Sequence, residues 1–486
     1  MYVYVCVLVV EKGSEMERTI ITNGTVVSST GQMQASVVVE GEKISALLMP
    51  GSSDHAAAMA SGAKKINAKG KYVIPGGIDV HTHMEMPFGG TMSCDTFETG
   101  SKAAAWGGTT TLIDFAIQKK GATLAAALDE WHIKAGGNCA IDYSFHMIMS
   151  DVTTDSLKEM DVMHKEGITS FKLFTAYPGV LYSNDAEIFR AMQKGGRIGS
   201  MIMMHCENGI VIDEIIKDHV GRGETAPYYH SISRPEAMEA EATHRCIQIA
   251  KVAGCPMYVV HLSANEALEQ VMIARDRGQN VFAETCPQYL YRSIDDLARP
   301  GFDGFEGANF VCSTPLRHRE HQAALWRGLR QNDLSVVSTD HCPFCFKEQK
   351  ELGRGDFSKI PNGMAGVEHR MDLLYQGAHD GNITLERFVE VTSTTPARMF
   401  GLYGKKGVIA PGSDADIVIY DPAAIQTLGV EMHHMAVDYS AYEGEKINGK
   451  CDLVMSRGKV VIQAGKFKGK KGYGNFIKRG LSQYLV

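Results

Sequence analysis

The sequence carries no surplus of positive charge: 49 Lys and Arg stand against 56 Asp and Glu, a net charge of −7. Without spare cations it has little to set against a phosphate backbone or an anionic lipid surface, which argues against nucleic-acid and membrane-surface partners. Long apolar runs are also missing. The longest, residues 2–10, is nine residues, whereas a helical span of a bilayer takes about 20. No Lys or Arg precedes that run, and Glu11-Lys12-Gly13 follows it without a small-residue cleavage site, so it is not read as a secretory signal. Residues 1–15 are taken as an extension ahead of a start at Met16, because the text from Glu17 to Gly24 opens a strand-and-turn pattern that needs nothing before it. A disulfide framework is absent too. The 11 cysteines are odd in number and scattered from Cys6 to Cys451, which fits reduced thiols in a cytoplasmic protein. Cys342-Pro343-Phe344-Cys345 has no second pair at zinc-finger spacing and reads as a loop.

What is present is the composition of a folded globular chain, 44% hydrophobic and 22% charged over 486 residues, long enough for one large barrel plus a smaller module. Short β-rich runs broken by turns fill residues 16–72 and return at 406–466, so the two ends are expected to pair into one small composite β-sandwich. Between them, at 73–405, apolar strands alternate with helical stretches. Eight strands are expected, at 73–83, 110–116, 143–149, 170–176, 200–206, 257–263, 281–290 and 335–341, with amphipathic helices at 123–135, 185–194, 234–253 and 264–277. That count and rhythm predict an α/β chain built on a (β/α)8 TIM barrel, whose active site sits at the carboxyl ends of the strands. Residues 467–486 read as a tail whose apolar end is expected to dock on a neighbouring subunit.

Chemistry-bearing residues gather at the expected strand ends. His81 and His83 stand at i and i+2 and share a face, so both imidazoles can meet one metal. Lys172 ends the fourth strand, His205 the fifth, His261 the sixth and Asp340 the eighth. Each is costly in an apolar strand unless it has a partner, and convergence on one metal centre accounts for all of them together. His132, His164, His219 and His244, on helices, and His433 and His434, outside the barrel, read as surface or packing residues. Lys172 stands apart, since an ammonium cannot ligate a metal. It either forms a Schiff base with a carbonyl substrate or has captured carbon dioxide as a carbamate, an anionic oxygen ligand able to bridge two cations. The four histidines favour the second.

The stretches from Pro75 to Gly90, from Phe171 to Tyr177 and from Ser338 to Phe344 resemble the dihydropyrimidinase/D-hydantoinase branch of the amidohydrolase superfamily, and the resemblance runs from Arg18 to the tail. It implies two divalent ions, zinc by default. His81, His83 and Asp340 would hold one and His205 and His261 the other, with N6-carboxylated Lys172, made from carbon dioxide or bicarbonate, and a hydroxide between them. It implies Asp340 as the proton carrier, Tyr177 as donor to the developing oxyanion, and Ser313 and Asn362 as holders of the cyclic imide. Phe88, Phe174 and Leu181 would line the pocket for the exocyclic substituent. Thr314 stands where the family pattern has a second proline, and His369 where it has an acid. The implied reaction is hydrolytic ring opening of small-molecule cyclic ureides, dihydrouracil and 5-substituted hydantoins among them, to N-carbamoyl amino acids, by a cytoplasmic homotetramer.

Two neighbouring activities and one non-enzyme share the resemblance. Dihydroorotase and allantoinase have the same fold and ligands, but a substrate carboxylate calls for an Arg after the HxH pair, and Met84-Glu85-Met86-Pro87-Phe88 follows here. A neutral ring is therefore expected. The collapsin response mediator scaffolds lack the metal set that this chain retains.

Overall fold

The computed structural model describes residues 17–484. Eight strands lie side by side in sequence order: β1 (Gly77–Thr82), β2 (Thr109–Ile117), β3 (Asp142–Ile148), β4 (Ser170–Phe174), β5 (Met201–His205), β6 (Met257–Val259), β7 (Val281–Thr285) and β8 (Val336–Val337). Every neighbouring pair is parallel. The sheet closes where Thr82 bridges His341 and the His83 N–H donates to the His341 carbonyl at 2.9 Å. Alternation along the strands separates two layers. Met201 and Met203 join Val80, Phe115 and Tyr258 in the barrel interior, while Ile202 and Met204 face the helical layer. Burial on both faces is why these strands read as unbroken apolar runs.

Four expected strands are shorter than their apolar runs, the sixth keeping only Met257–Val259 of 257–263. The first, 73–83, is two strands: Tyr72–Pro75 pairs with Ile417–Thr427 and Thr25–Ser28 in another sheet, and only Gly77–Thr82 enters the barrel. The break falls at Gly76, where a Cβ would lie 2.1 Å from the Thr110 hydroxyl oxygen. The seventh ends at Thr285 rather than 290, because Pro287 opens a helical turn, Pro287–Tyr291, and proline cannot donate to a ladder. The eighth keeps only Val336–Val337. Beyond it, the Thr339 N–H donates to the Asp79 carboxylate at 3.2 Å rather than to a neighbouring strand. The helices follow expectation closely at Leu124–Ala135, Asp185–Ile198, Glu236–Ala253 and Asn265–Asp276. Two end on left-handed glycines, Gly199 and Gly254, as helices commonly do.

The chain ends build two further sheets. Lys43–Leu48, Ser36–Glu40, Arg18–Thr22 and Lys64–Asn67 form one. The other interleaves C-terminal strands Lys466–Phe467, Lys459–Gln463, Lys446–Ser456 and Ile417–Thr427 with N-terminal Tyr72–Pro75, Thr25–Ser28 and Gly31–Gln34. Ile21, Val37, Val39, Val73, Ile417, Ile419 and Met455 pack together between them, the composite sandwich expected from the two β-rich segments. Residues 1–15 lie outside the described residues.

A buried ion cluster ties this sandwich to the barrel. Lys406 Nζ meets Asp142 and Asp416 at 2.7 Å and Asp414 at 3.1 Å, and Arg457 reaches Asp142 at 3.1 Å. Removing one partner of a buried network strands the others, so Lys406→Met is expected to lower unfolding stability by about 3–5 kcal/mol in denaturant titration. A change below about 1 kcal/mol, the size of a surface pair, would show the cluster to be incidental. The tail, expected on a neighbouring subunit, packs against its own barrel. Phe476 bridges Tyr143 and stacks on Phe145 at 5.4 Å, and Arg479 donates to the Phe145 carbonyl and the Ser170 hydroxyl at 2.6 and 2.8 Å, covering the amino ends of β3 and β4.

Candidate active site

The six residues singled out at the strand ends meet in one buried cluster at the carboxyl mouth of the barrel. His81 is the penultimate residue of β1 and His83 lies just beyond it, Lys172 is in β4, His205 ends β5, His261 follows β6 by two residues and Asp340 follows β8 by three. His81 Nε2 lies 3.0 Å from Lys172 Nζ and 3.1 Å from Asp340 Oδ1. His83 Nε2 lies 3.3 Å from the same oxygen, and His205 Nδ1 is 3.0 Å from His261 Nε2. Donor atoms of His81, His261 and Asp340 all fall within 4.8 Å of one another. The backbone here leaves strand geometry. Tyr177, His261 and Asp340 have φ of 63°, 38° and 50°, left-handed values that non-glycine residues hold only where their surroundings compel them, often at functional sites.

Protonation states suit cation binding. Burial holds His81 and His261 well below the usual imidazole range and lowers His205, so all three are neutral bases with a lone pair to offer. Burial pushes Asp340 up, but His81 and His83 outweigh it and hold the carboxyl at about 2. Lys172 is pulled by burial down to about 8, and its ammonium lies 4.4 Å from the Phe115 ring and 4.9 Å from that of Phe174.

A ring of acids that sequence reading missed orients these bases. Glu284, one residue before the carboxyl end of β7, accepts from His81 Nδ1, from the Tyr258 hydroxyl at 2.8 Å and from the His261 N–H at 3.2 Å. Glu207 accepts from His205 Nε2 at 2.8 Å and from Arg234 at 3.1 Å. Burial favours protonating Glu207, yet Arg234 and His205 hold it at about 2. With the Nε2 proton engaged by Glu207, His205 presents its Nδ1 lone pair to the cluster. Carboxylates in this position fix tautomer and ring orientation of metal-ligating histidines. The signal was available: Glu284 is a lone acid in the apolar run Val281–Thr285, and Glu207 follows His205 by two residues. Imidazole nitrogens at 3.0–3.3 Å from one another or from a carboxylate, with Nδ1 of His83 and of His261 unpartnered among the described residues, make a donor set that fits divalent cations.

Beside the cluster a pocket opens, lined by Phe88, Phe174, Tyr177, Leu181, Ser313 and Asn362, every residue expected to touch substrate, together with Met86 and Cys342. Burial raises the Tyr177 hydroxyl to about 12, so at neutral pH it is a donor, and Ser313 and Asn362 line the pocket beside it. Phe88 meets Tyr177 edge-on at 5.4 Å. Asn362 Nδ2 donates to Ser313 Oγ at 3.0 Å. The Cys342–Cys345 segment is a loop with free thiols.

Residues 72–461 match the Amidohydrolase family. The D-hydantoinase of Streptomyces coelicolor is 59% identical over 469 residues, covering 96% of this chain and 99% of that protein. That of Geobacillus stearothermophilus is 46% identical over 462 residues, 95% and 96% of the two chains. The crystal structure of dihydropyrimidinase from Brevibacillus agri superposes with a TM-score of 0.92 at 45% identity, over 96% of this chain and 99% of that one. The chain belongs to the dihydropyrimidinase/D-hydantoinase family of amidohydrolases. Against that family's pattern, the two departures noted in the sequence have defined surroundings. The Thr314 hydroxyl donates to the His261 carbonyl at 3.0 Å, a contact a proline could not make. His369 is buried against Tyr442, outside the residues that line the hydantoinase-type pocket.

Proposed function

We propose that this amidohydrolase opens neutral cyclic ureides, 5,6-dihydropyrimidines such as dihydrouracil and 5-substituted hydantoins, to N-carbamoyl amino acids. The observation that carries this reading is the meeting of four imidazoles, one ionised carboxylate and a buried lysine that has no carboxylate partner among the described residues, next to an apolar pocket rimmed by a phenol and an amide. The names of the relatives support the same substrate class.

In this reading His81, His83 and Asp340 would hold one divalent cation and His205 and His261 a second, zinc by default. Lys172 would join them as a carbamate, its neutral amine adding carbon dioxide and releasing one proton. Cations bound there supply Lewis-acid polarisation of the imide carbonyl and a water acidic enough to attack it near neutral pH. Asp340, ionised in its buried setting, takes a proton at its carboxylate and hands it to the ring nitrogen as the C–N bond breaks. Tyr177 donates its O–H where negative charge develops on the carbonyl oxygen. Ser313 and Asn362 hold the ring through backbone groups while Phe88, Phe174 and Leu181 receive the substituent. Water adds across one C–N bond, and the product carries a new carboxylate and a ureido group. Met86 and Phe88 line the mouth where a carboxylate-binding Arg would be needed, which favours a neutral ring over dihydroorotate. Cytoplasmic location and homotetrameric assembly belong to the same proposal and rest on the family alone.

Metal analysis of the purified protein, run in parallel with ring-opening assays on dihydrouracil, hydantoin, 5-phenylhydantoin, dihydroorotate and allantoin, tests it. About two cations per chain with turnover of a neutral pyrimidine or hydantoin ring is the expected result, and the ratio of kcat/KM values separates the two uses. Turnover of dihydroorotate or allantoin alone would overturn the substrate class. No metal and no turnover after zinc and bicarbonate are supplied would favour a scaffold.

A further inference from the structure

Three lysines are fully buried among the described residues, and they are neutralised in different ways. Lys406 meets three aspartates and Lys172 faces the imidazole cluster. Lys350 meets neither. It opens the short turn Lys350–Gly353, and its Nζ donates to the carbonyls of Val311 at 3.0 Å, Pro361 at 2.7 Å and Gly363 at 2.8 Å. Burial pulls its amine down to about 7, its ionisable neighbours are the thiols of Cys312, Cys342 and Cys94, and no carboxylate pairs with it among the described residues; three carbonyl acceptors around one nitrogen favour the ammonium, since a neutral amine has only two N–H groups for them. An ammonium has three protons, and here each has one carbonyl. Burying a cation is costly unless such bonds are made, and three carbonyl dipoles aimed at one point repel each other unless a cation sits there.

Those carbonyls flank the groups read above as substrate contacts. Val311 precedes Ser313 by two residues, and Pro361 and Gly363 stand on either side of Asn362. The two loops also meet directly, through the Gly363 N–H donating to the Val311 carbonyl at 3.0 Å and Asn362 donating to Ser313. The space is tight: a Cβ on Gly363 would lie 2.2 Å from the Cys342 carbonyl oxygen. Ser313, Asn362 and Gly363 line the pocket, and Lys350 does not.

We propose that Lys350 is a positioning residue for substrate, its ammonium tying the 311–313 and 361–363 loops into one cradle that sets the spacing of the groups gripping the ring. The proposal rests on the reading of Ser313 and Asn362 as ring holders. Lys350 touches neither the metal-binding side chains nor the pocket, so its loss weakens ring binding in ground and transition states alike, which raises KM and leaves kcat nearly unchanged.

The test compares the full-length wild type with Lys350→Met and Lys350→Gln. Hydrogen exchange at the amides of 311–313 and 362–363, metal content and steady-state kinetics on the best cyclic ureide are measured for each. Lys350→Met should speed exchange in both loops and raise KM roughly tenfold or more, with kcat within about threefold and metal content unchanged. Lys350→Gln, which keeps two donors, should fall between Met and wild type, and it decides the matter if the Met variant does not fold. Unchanged exchange in both variants overturns the tie, and faster exchange with unchanged KM overturns the role in substrate positioning. A fall in kcat or metal content at constant KM overturns it too. Wild type inactive on every cyclic ureide would instead fail the substrate reading, with the exchange data still deciding the tie.

Discussion

Lys172→Ala is expected to bind at least one cation fewer per chain and to lose turnover by about three orders of magnitude or more, the scale of the several kcal/mol that a cation contributes to charge stabilisation. The reason lies in its surroundings. Lys172 is buried, 3.0 Å from His81 Nε2, and no carboxylate forms an ion pair with it among the described residues. As an ammonium it would repel any cation held by His81, His205 and His261. As a carbamate it supplies the anionic oxygens that a site with a single carboxylate, Asp340, otherwise lacks. Short carboxylic acids should then restore part of the metal content and part of the activity of Lys172→Ala, because they return the missing oxygens without the tether. A Schiff-base lysine gives a different result: the variant would be inactive, keep its full metal content and gain nothing from acetate or propionate. Full metal retention in Lys172→Ala would therefore end the carbamate reading, whatever happened to the rate.

Tyr177→Phe is expected to lower kcat roughly 10²–10³-fold, the cost of removing one donor from an oxyanion site, with metal content unchanged. Tyr177 stands at φ 63°, on the rim between the imidazole cluster and the aromatic wall, with its ring edge-on to Phe88 and 5.4 Å from His205. Phenylalanine keeps those ring contacts and deletes only the O–H, so stability and cation binding should hold while the chemical step slows. Ser313 and Asn362 keep the hydrogen bond between them, so the variant removes only the phenol's proton. A rise in KM alone would make Tyr177 a binding group, and an unchanged kcat would remove it from the mechanism.

The parts of the molecule that could be read from the chain are those where chemistry and local pattern coincide. A polar group at the end of a buried strand violates the apolar text around it, which is why His81, His83, Lys172, His205, His261 and Asp340 could be picked out, and all six meet in space. Glu284 violates the same text and was passed over because it binds no ligand role by itself. Its work depends on Tyr258 and on two histidines from other strands. The apolar pattern misplaces strand ends where apolar residues continue past the ladder: Tyr72–Pro75 belongs to the sandwich, and Pro287 starts a helix inside an apolar run. Hydrophobicity reports burial, and burial does not distinguish a strand in one sheet from a strand in the next.

What the chain determined alone is the barrel with its paired β-rich ends and the identity of the six clustered side chains, since period, composition and misplaced polarity are local properties. Tertiary structure decided which carboxylate orients which imidazole, that the tail folds back on its own barrel through Phe476 and Arg479, and that Lys350 is caged by three carbonyls from two distant loops. Each of these is a contact between segments far apart in the chain, and its energy depends on distance and desolvation, which exist only once the core has closed.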